Sequence, residues 1–158
     1  MSLLEILVGV SIVAIMAFAV TLTIGPGRGA LDVEADRLAT ELNHAAAEAI
    51  ATGQPVGITL MRGGQGYAFV RYLDGRWWPL DGHGGLGMHV LDEAVLLEAD
   101  GVSPRRDDGV VTTGPVPVAW FDPAGLTDPF RLRLTGQARR IELSWQGDGE
   151  ILRSTEDG

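Results

Sequence analysis

The chain has 158 residues, no cysteine, 12 basic residues that are all arginine, and 21 acidic ones, for a net charge of −9. A chain this acidic is a poor ligand for polyanions, and without cysteine it has no disulfide framework, thiolate metal site or cysteine nucleophile. The arginine-only usage reads as coding bias rather than as selection for bidentate contacts.

The first stretch, Met1 to Ile24, is apolar almost throughout and carries one charged side chain, Glu5. The 19 residues from Ile6 to Ile24 hold no charge. At 1.5 Å per residue a helix of that length covers roughly 28 Å, about the hydrocarbon thickness of a bilayer. No basic residue precedes the run, and the first one is Arg28. The segment therefore reads as a retained membrane helix rather than a cleaved secretory signal.

Gly25-Pro26-Gly27-Arg28-Gly29 breaks the helix, as a kink or a short hinge. A second helix is expected over Asp32 to Thr52, because Leu31, Leu38, Leu42, Ala45 and Ala49 recur at helical spacing and form one apolar stripe. Asp32, Glu34 and Asp36 suit the positive end of its dipole, and Gly53 with Pro55 supplies the stop.

From Val56 the pattern becomes β. Val56 to Met61 and Tyr67 to Leu73 read as a hairpin about the turn Arg62 to Gly66, and Asp74-Gly75 leads into Arg76 to Leu80. Further strands are expected at Val95–Leu97, Val110–Thr113, Val116–Phe121, Phe130–Leu134, Ile141–Trp145 and Glu150–Leu152. The spacing is that of an antiparallel sheet or sandwich, so the chain reads as α+β: a helical spine, its first half transmembrane, packed on antiparallel strands. The expected divisions are an apolar helix over 1–24, a hinge at 25–29, the second half of the spine at 30–53 and a β domain at 54–158.

Candidates for chemistry are few. Gly82-His83-Gly84-Gly85-Leu86-Gly87 matches the dinucleotide fingerprint in letters, but its antiparallel surroundings lack the strand–helix setting the fingerprint needs, so it reads as a loop. His83 and His89 read as solvated loop residues, and His44 lies on the polar side of the second helix. Asp107-Asp108-Gly109 and Gly147-Asp148-Gly149-Glu150 lack the twelve-residue calcium-loop pattern and read as turns. No serine stands in a nucleophile elbow, so no enzyme, cofactor or metal is expected. Trp77 and Trp78 are adjacent, so in a strand they face opposite sides; core or edge packing is the default reading for both, and one exposed as a surface anchor for a partner protein is the functional alternative.

Glu5 is the remaining candidate. Four residues from the N-terminal amine, it can meet a neighbour's amine in a parallel bundle staggered by about one helical turn. In an apolar bundle an unpaired carboxylate costs several kcal/mol, so the pair would act as a register device during assembly.

Met1-Ser2-Leu3-Leu4-Glu5-Ile6-Leu7-Val8 resembles the mature start of type IV pilin-like proteins. The resemblance implies that Met1 is the processed, N-methylated first residue and that Glu5 serves assembly. Arg37 to Ile50 with Gly53-Gln54-Pro55-Val56, and Phe121-Asp122-Pro123-Ala124-Gly125-Leu126, are similar to segments of the minor pseudopilin H family of type II secretion systems. The break at Pro26 falls a few residues later than is usual there. The family implies a structural subunit of the secretion pseudopilus, single-pass in the inner membrane with its C-terminal domain in the periplasm, and periplasmic in the filament after assembly. The implied partners are the other major and minor pseudopilins, the assembly platform and prepilin peptidase, with no nucleic acid. The alternative is a minor type IV pilin serving pilus assembly, adhesion or DNA uptake, for which Arg131, Arg133, Arg139, Arg140 and Arg153 form the only candidate basic patch.

Overall fold

The computed structural model describes residues 8–12, 29–100, 115–136, 139–147 and 149–157. Residues 8–12 are helical, with Val8, Val10 and Ile12 exposed. Met1, Glu5, most of the expected hinge and the expected strand Val110–Thr113 lie outside the described residues. Among those described, no helix is long and apolar enough to cross a membrane.

Helix α1 runs Ala30–Thr52 and ends at Gly53, whose φ of 66° is the left-handed conformation glycine adopts at no steric cost. The expected stripe is buried: Leu31, Leu38, Leu42, Ala45 and Ala49, joined by Ala35. The alanines bring the helix backbone close to what it packs on, and the leucines fill the gaps on either side.

Among the described residues nine strands follow, in two antiparallel sheets. The first sheet contains β1 (Val56–Leu60), β2 (Gly66–Leu73), β3 (Arg76–Pro79), β4 (Met88–Val90) and β6 (Ala119–Phe121), in the order β3-β2-β1-β6 with β4 also paired to β2. Strands β3 and β4 share one edge of β2: β3 pairs with Val70 to Leu73, and β4 with Gly66 to Ala68. The second sheet contains β5 (Leu96–Asp100), β7 (Phe130–Gly136), β8 (Arg139–Trp145) and β9 (Ile151–Asp157), in the order β5-β7-β8-β9.

Four strands depart most from expectation, among them β5, which runs three residues past the expected end at Leu97. Strand β4 was not expected, and His89 within it is no loop residue. Strand β9 runs to Asp157 because β8 offers it a full ladder, from Trp145↔Ile151 to Arg139↔Asp157. Strand β6 begins only at Ala119, after two prolines that have no amide hydrogen to give.

One contiguous core lies where the helix stripe meets the inner faces of both sheets. From the first sheet come Val56, Ile58, Tyr67 and Phe69; from the second, Leu97, Leu132, Leu134, Ile141 and Leu143. Phe121 stacks edge-on against both Phe130 and Trp145, closing the seam between the sheets. A second tie is the turn after β1, where Gly64 (φ 72°) passes so close to β5 that a Cβ would stand 2.5 Å from the Leu97 carbonyl oxygen.

Polar groups fix the helix on both flanks of its stripe. Glu34, Glu41 and Glu48 are seven residues apart, and successive members drift only about 20° around the helix, so they form one row. Glu34 meets His89 of β4 at 2.7 Å, Glu41 accepts the Tyr67 hydroxyl at 2.8 Å, and Glu48 pairs with Arg71 at 2.8 Å. Burial and the neighbouring Glu41 carboxylate push the Tyr67 hydroxyl far above the usual phenol range, so it stays a donor. On the other flank Asp32 pairs with Arg139 of β8 and Arg153 of β9, Asp36 pairs with Arg153, and Asn43 accepts the Ile151 amide. Asp32, Glu34 and Asp36, expected to serve the helix dipole, thus also clamp the helix onto both sheets.

Two tests follow from this packing. Leu42→Ala removes a fully buried side chain from the stripe and should cost about 2–5 kcal/mol in denaturant unfolding of the full chain in mild detergent. Ile50→Ala, at a residue 66% exposed on the same helix, should leave the midpoint nearly unchanged. The second concerns acid. The hydrogen bond from Arg139, with the charges of Arg139 and Arg153, holds the Asp32 carboxyl below its ordinary value of 3.8. A depressed carboxylate stabilises the fold above that ordinary value, and the contribution is lost as pH falls through the lower folded-state value. Asp32→Asn should therefore be less stable at neutral pH and show a shallower acid loss, the two unfolding curves converging at low pH.

Candidate functional site

The glycine-rich stretch forms a short turn over His83–Gly85 and leads into strand β4 instead of a helix. No strand–turn–helix unit exists there to cradle a pyrophosphate. The turn lies against the helix, with a Cβ at Gly84 placed 3.6 Å from the ring of the exposed His44. His89, expected to be solvated, is half-buried because its strand register puts it beside Tyr67 and over Glu34. Asp107, Asp108, Asp148 and the His83 side chain lie outside the description, and among the described residues no group of three or more His, Asp or Glu is placed to hold a metal.

The five arginines of the candidate basic patch do not form a free cationic surface. Arg139 and Arg153 turn to the helix carboxylates. Arg133 lies 2.9 Å from Asp100 and 3.8 Å from Glu142; Arg131 is 3.8 Å from Glu142, and Arg140 is 3.6 Å from Glu156. Each one has a carboxylate within ion-pair distance, which leaves little field for a phosphate backbone.

Trp77 and Trp78 do face opposite sides of β3, but neither joins the core. Trp78 stands beside Arg71 on the face that carries the helix, 43% exposed, with the Arg76 guanidinium 3.9 Å above its ring. Trp77 stands on the opposite face beside Tyr72, half-buried, with ring centroids 5.2 Å apart. Both stand on β3, an edge strand of the first sheet, so they pack at the sheet edge rather than in the core.

The strand register sorts the remaining surface into two outer faces of opposite character. On the second sheet the outward positions are Glu98, Asp100, Arg131, Arg133, Arg140, Glu142 and Glu156 among small polar and two leucine side chains. That is the usual alternation for an antiparallel sheet with one face in water. On the first sheet the outward positions are Gly57 and Thr59; Gly66, Ala68, Val70 and Tyr72; Trp77 and Pro79; Met88 and Val90; and Trp120. None of them is charged, and the Thr59 hydroxyl donates to the Ala68 carbonyl at 3.2 Å. Val70 is 1% exposed yet stands apart from the core, since it lies on this second side of the sheet. Pro117 seats over Gly57, where a Cβ would meet its ring at 2.7 Å, while Met88 and Val90 remain 72% and 62% exposed.

Comparison with known proteins places this architecture. The family described as type II transport protein GspH matches residues 34–147. The type II secretion system protein H of Aeromonas hydrophila is 31% identical over 146 residues, spanning 86% of this chain and 80% of the relative. Two structures of the minor pseudopilin EpsH from the type II secretion system of Vibrio cholerae share the fold, with TM-scores of 0.62 and 0.64 at 16% identity. They cover 77% and 80% of this chain, and 94% of their own chains in each case. With a family match across most of its length and a relative of that identity, the chain belongs to the type II transport protein GspH family.

Proposed function

We propose that the chain is a minor pseudopilin, a structural subunit of a type II secretion pseudopilus that helps move folded proteins across the outer membrane. The observation that carries this reading is the family match across the helix and both sheets, residues 34–147. Pairing of the candidate arginines with carboxylates adds to it by weakening the case for a DNA-uptake pilin. The work expected of such a subunit is mechanical rather than catalytic.

In this reading residues 1–24 form a single-pass inner-membrane helix that becomes the filament core, with the rest of the chain in the periplasm. The support is the uncharged run Ile6–Ile24 and the exposed Val8, Val10 and Ile12 on the helical residues 8–12, apolar groups that need lipid or a neighbouring helix to cover them. Met1 is the residue that the pilin-like pattern assigns to prepilin peptidase processing and methylation. Glu5 is the assembly residue, pairing with the N-terminal amine of a neighbour. The partners are the other major and minor pseudopilins and the inner-membrane assembly platform.

At an effective dielectric near 20, a pair at about 4 Å gains on the order of 4 kcal/mol before desolvation. A subunit that lacks the carboxylate should therefore still enter the membrane but join filaments poorly. Expected for Glu5→Ala are normal membrane fractionation, reduced recovery in sheared pseudopili and reduced secretion. Normal incorporation and secretion would overturn the pairing.

A further inference from the structure

We infer that the outer face of the first sheet, centred on Tyr72, Trp77, Met88, Val90 and Trp120, is the docking surface for the globular domain of a different pilin-like subunit that presents an uncharged apolar patch. This inference rests on the proposed pseudopilin role and names the face and the chemistry of contact. Charge supplies the first argument. In a chain of net charge −9 this sheet face carries no charged side chain, whereas the other sheet offers seven at its outward positions. A partner carboxylate or guanidinium set down here would lose its hydration and gain no counter-charge, so the complementary surface must itself be neutral.

Exposure and placement supply the next two. Met88 and Val90 hold large apolar side chains in water on a strand whose second edge pairs with nothing among the described residues, an arrangement that a monomer normally avoids. The aromatic side chains Tyr72, Trp77 and Trp120 are the types enriched where proteins meet. The face also looks away from α1, so a partner seated on it does not compete with the helix for the inner side of the sheet. A second copy of this chain would set two molecules of net charge −9 against each other, so the occupant inferred is a different subunit.

The test uses the full chain in secreting cells, with a photo-crosslinking amino acid placed at Met88, at Tyr72 or, as a control, at Glu98 on the charged face. Light should join positions 88 and 72, but not 98, to another pseudopilin identified by mass spectrometry. Met88→Glu with Val90→Glu, both at exposed positions that tolerate a carboxylate without disturbing the core, should abolish the adduct from position 72 and lower secretion at least tenfold at unchanged protein level. Equal adducts from position 98, an adduct with a second copy, or an adduct with lipid would each overturn the inference. So would full secretion by the double variant in a strain where deletion of this chain abolishes secretion. Normal secretion by the deletion strain would instead overturn the pseudopilin role itself.

Discussion

The structure depends on burying one stripe of one helix. Leu38, Leu42, Ala35, Ala45 and Ala49 are fully sequestered, and they face two sheets that share no backbone ladder among the described strands. Without the helix the two inner faces would have each other, the aromatic seam around Phe121 and the close approach of Gly64 to Leu97. With it, a single core forms, and burial of that much apolar area is the dominant favourable term for a domain of this size. The acidic rows then decide rotation and register. Each individual pair is partly exposed and modest in energy, but Glu34, Glu41 and Glu48 all face one sheet while Asp32, Asp36 and Asn43 face the other. A helix turned by one residue would lose both sets at once.

That arrangement accounts for how an acidic protein spends its charge. Arginines that look like a basic patch in a list of positions are distributed among the helix flank and the outer face of the second sheet, each beside a carboxylate. The charge-free surface that results on the first sheet follows from strand parity. Every second residue of β1 to β4 and β6 points away from the core, and on those strands the outward residues are glycine, alanine, threonine, proline, valine, methionine or aromatic. Such a surface suits subunit contact better than solvent.

The elements with strong periodicity were legible in the amino-acid sequence. The α1 stripe, the β1–β2 hairpin and the strands β7 and β8 all show the spacing that physics requires of half-buried elements, and turn residues mark their ends. Met88-His89-Val90 was not legible, because three residues are too few to show alternation and the strand exists only through pairing with β2. The polar run Arg153 to Asp157 gave no strand signal either; its ladder with β8 supplies what side-chain propensity does not. For the candidate surface, the tryptophans were visible but their faces were not, since parity relative to the core is set by pairing of Tyr72 with Trp77 and Arg71 with Trp78. The seven-residue repeat of Glu34, Glu41 and Glu48 was present to be read, yet its partners His89, Tyr67 and Arg71 come together only in the folded chain.

The spacing of that glutamate row has a mechanical meaning. Seven residues of helix rise about 10.5 Å, so the three contacts anchor the helix to one sheet at three heights, and the aspartate and asparagine contacts anchor it to the other. A thrust delivered along the helix axis loads all of these contacts, and the buried stripe between them, in parallel. The geometry is that of a shear joint rather than a zipper, in which no single bond must yield first. An axial push on α1 is thereby shared between both sheets, and the helix and the two sheets move as one piece.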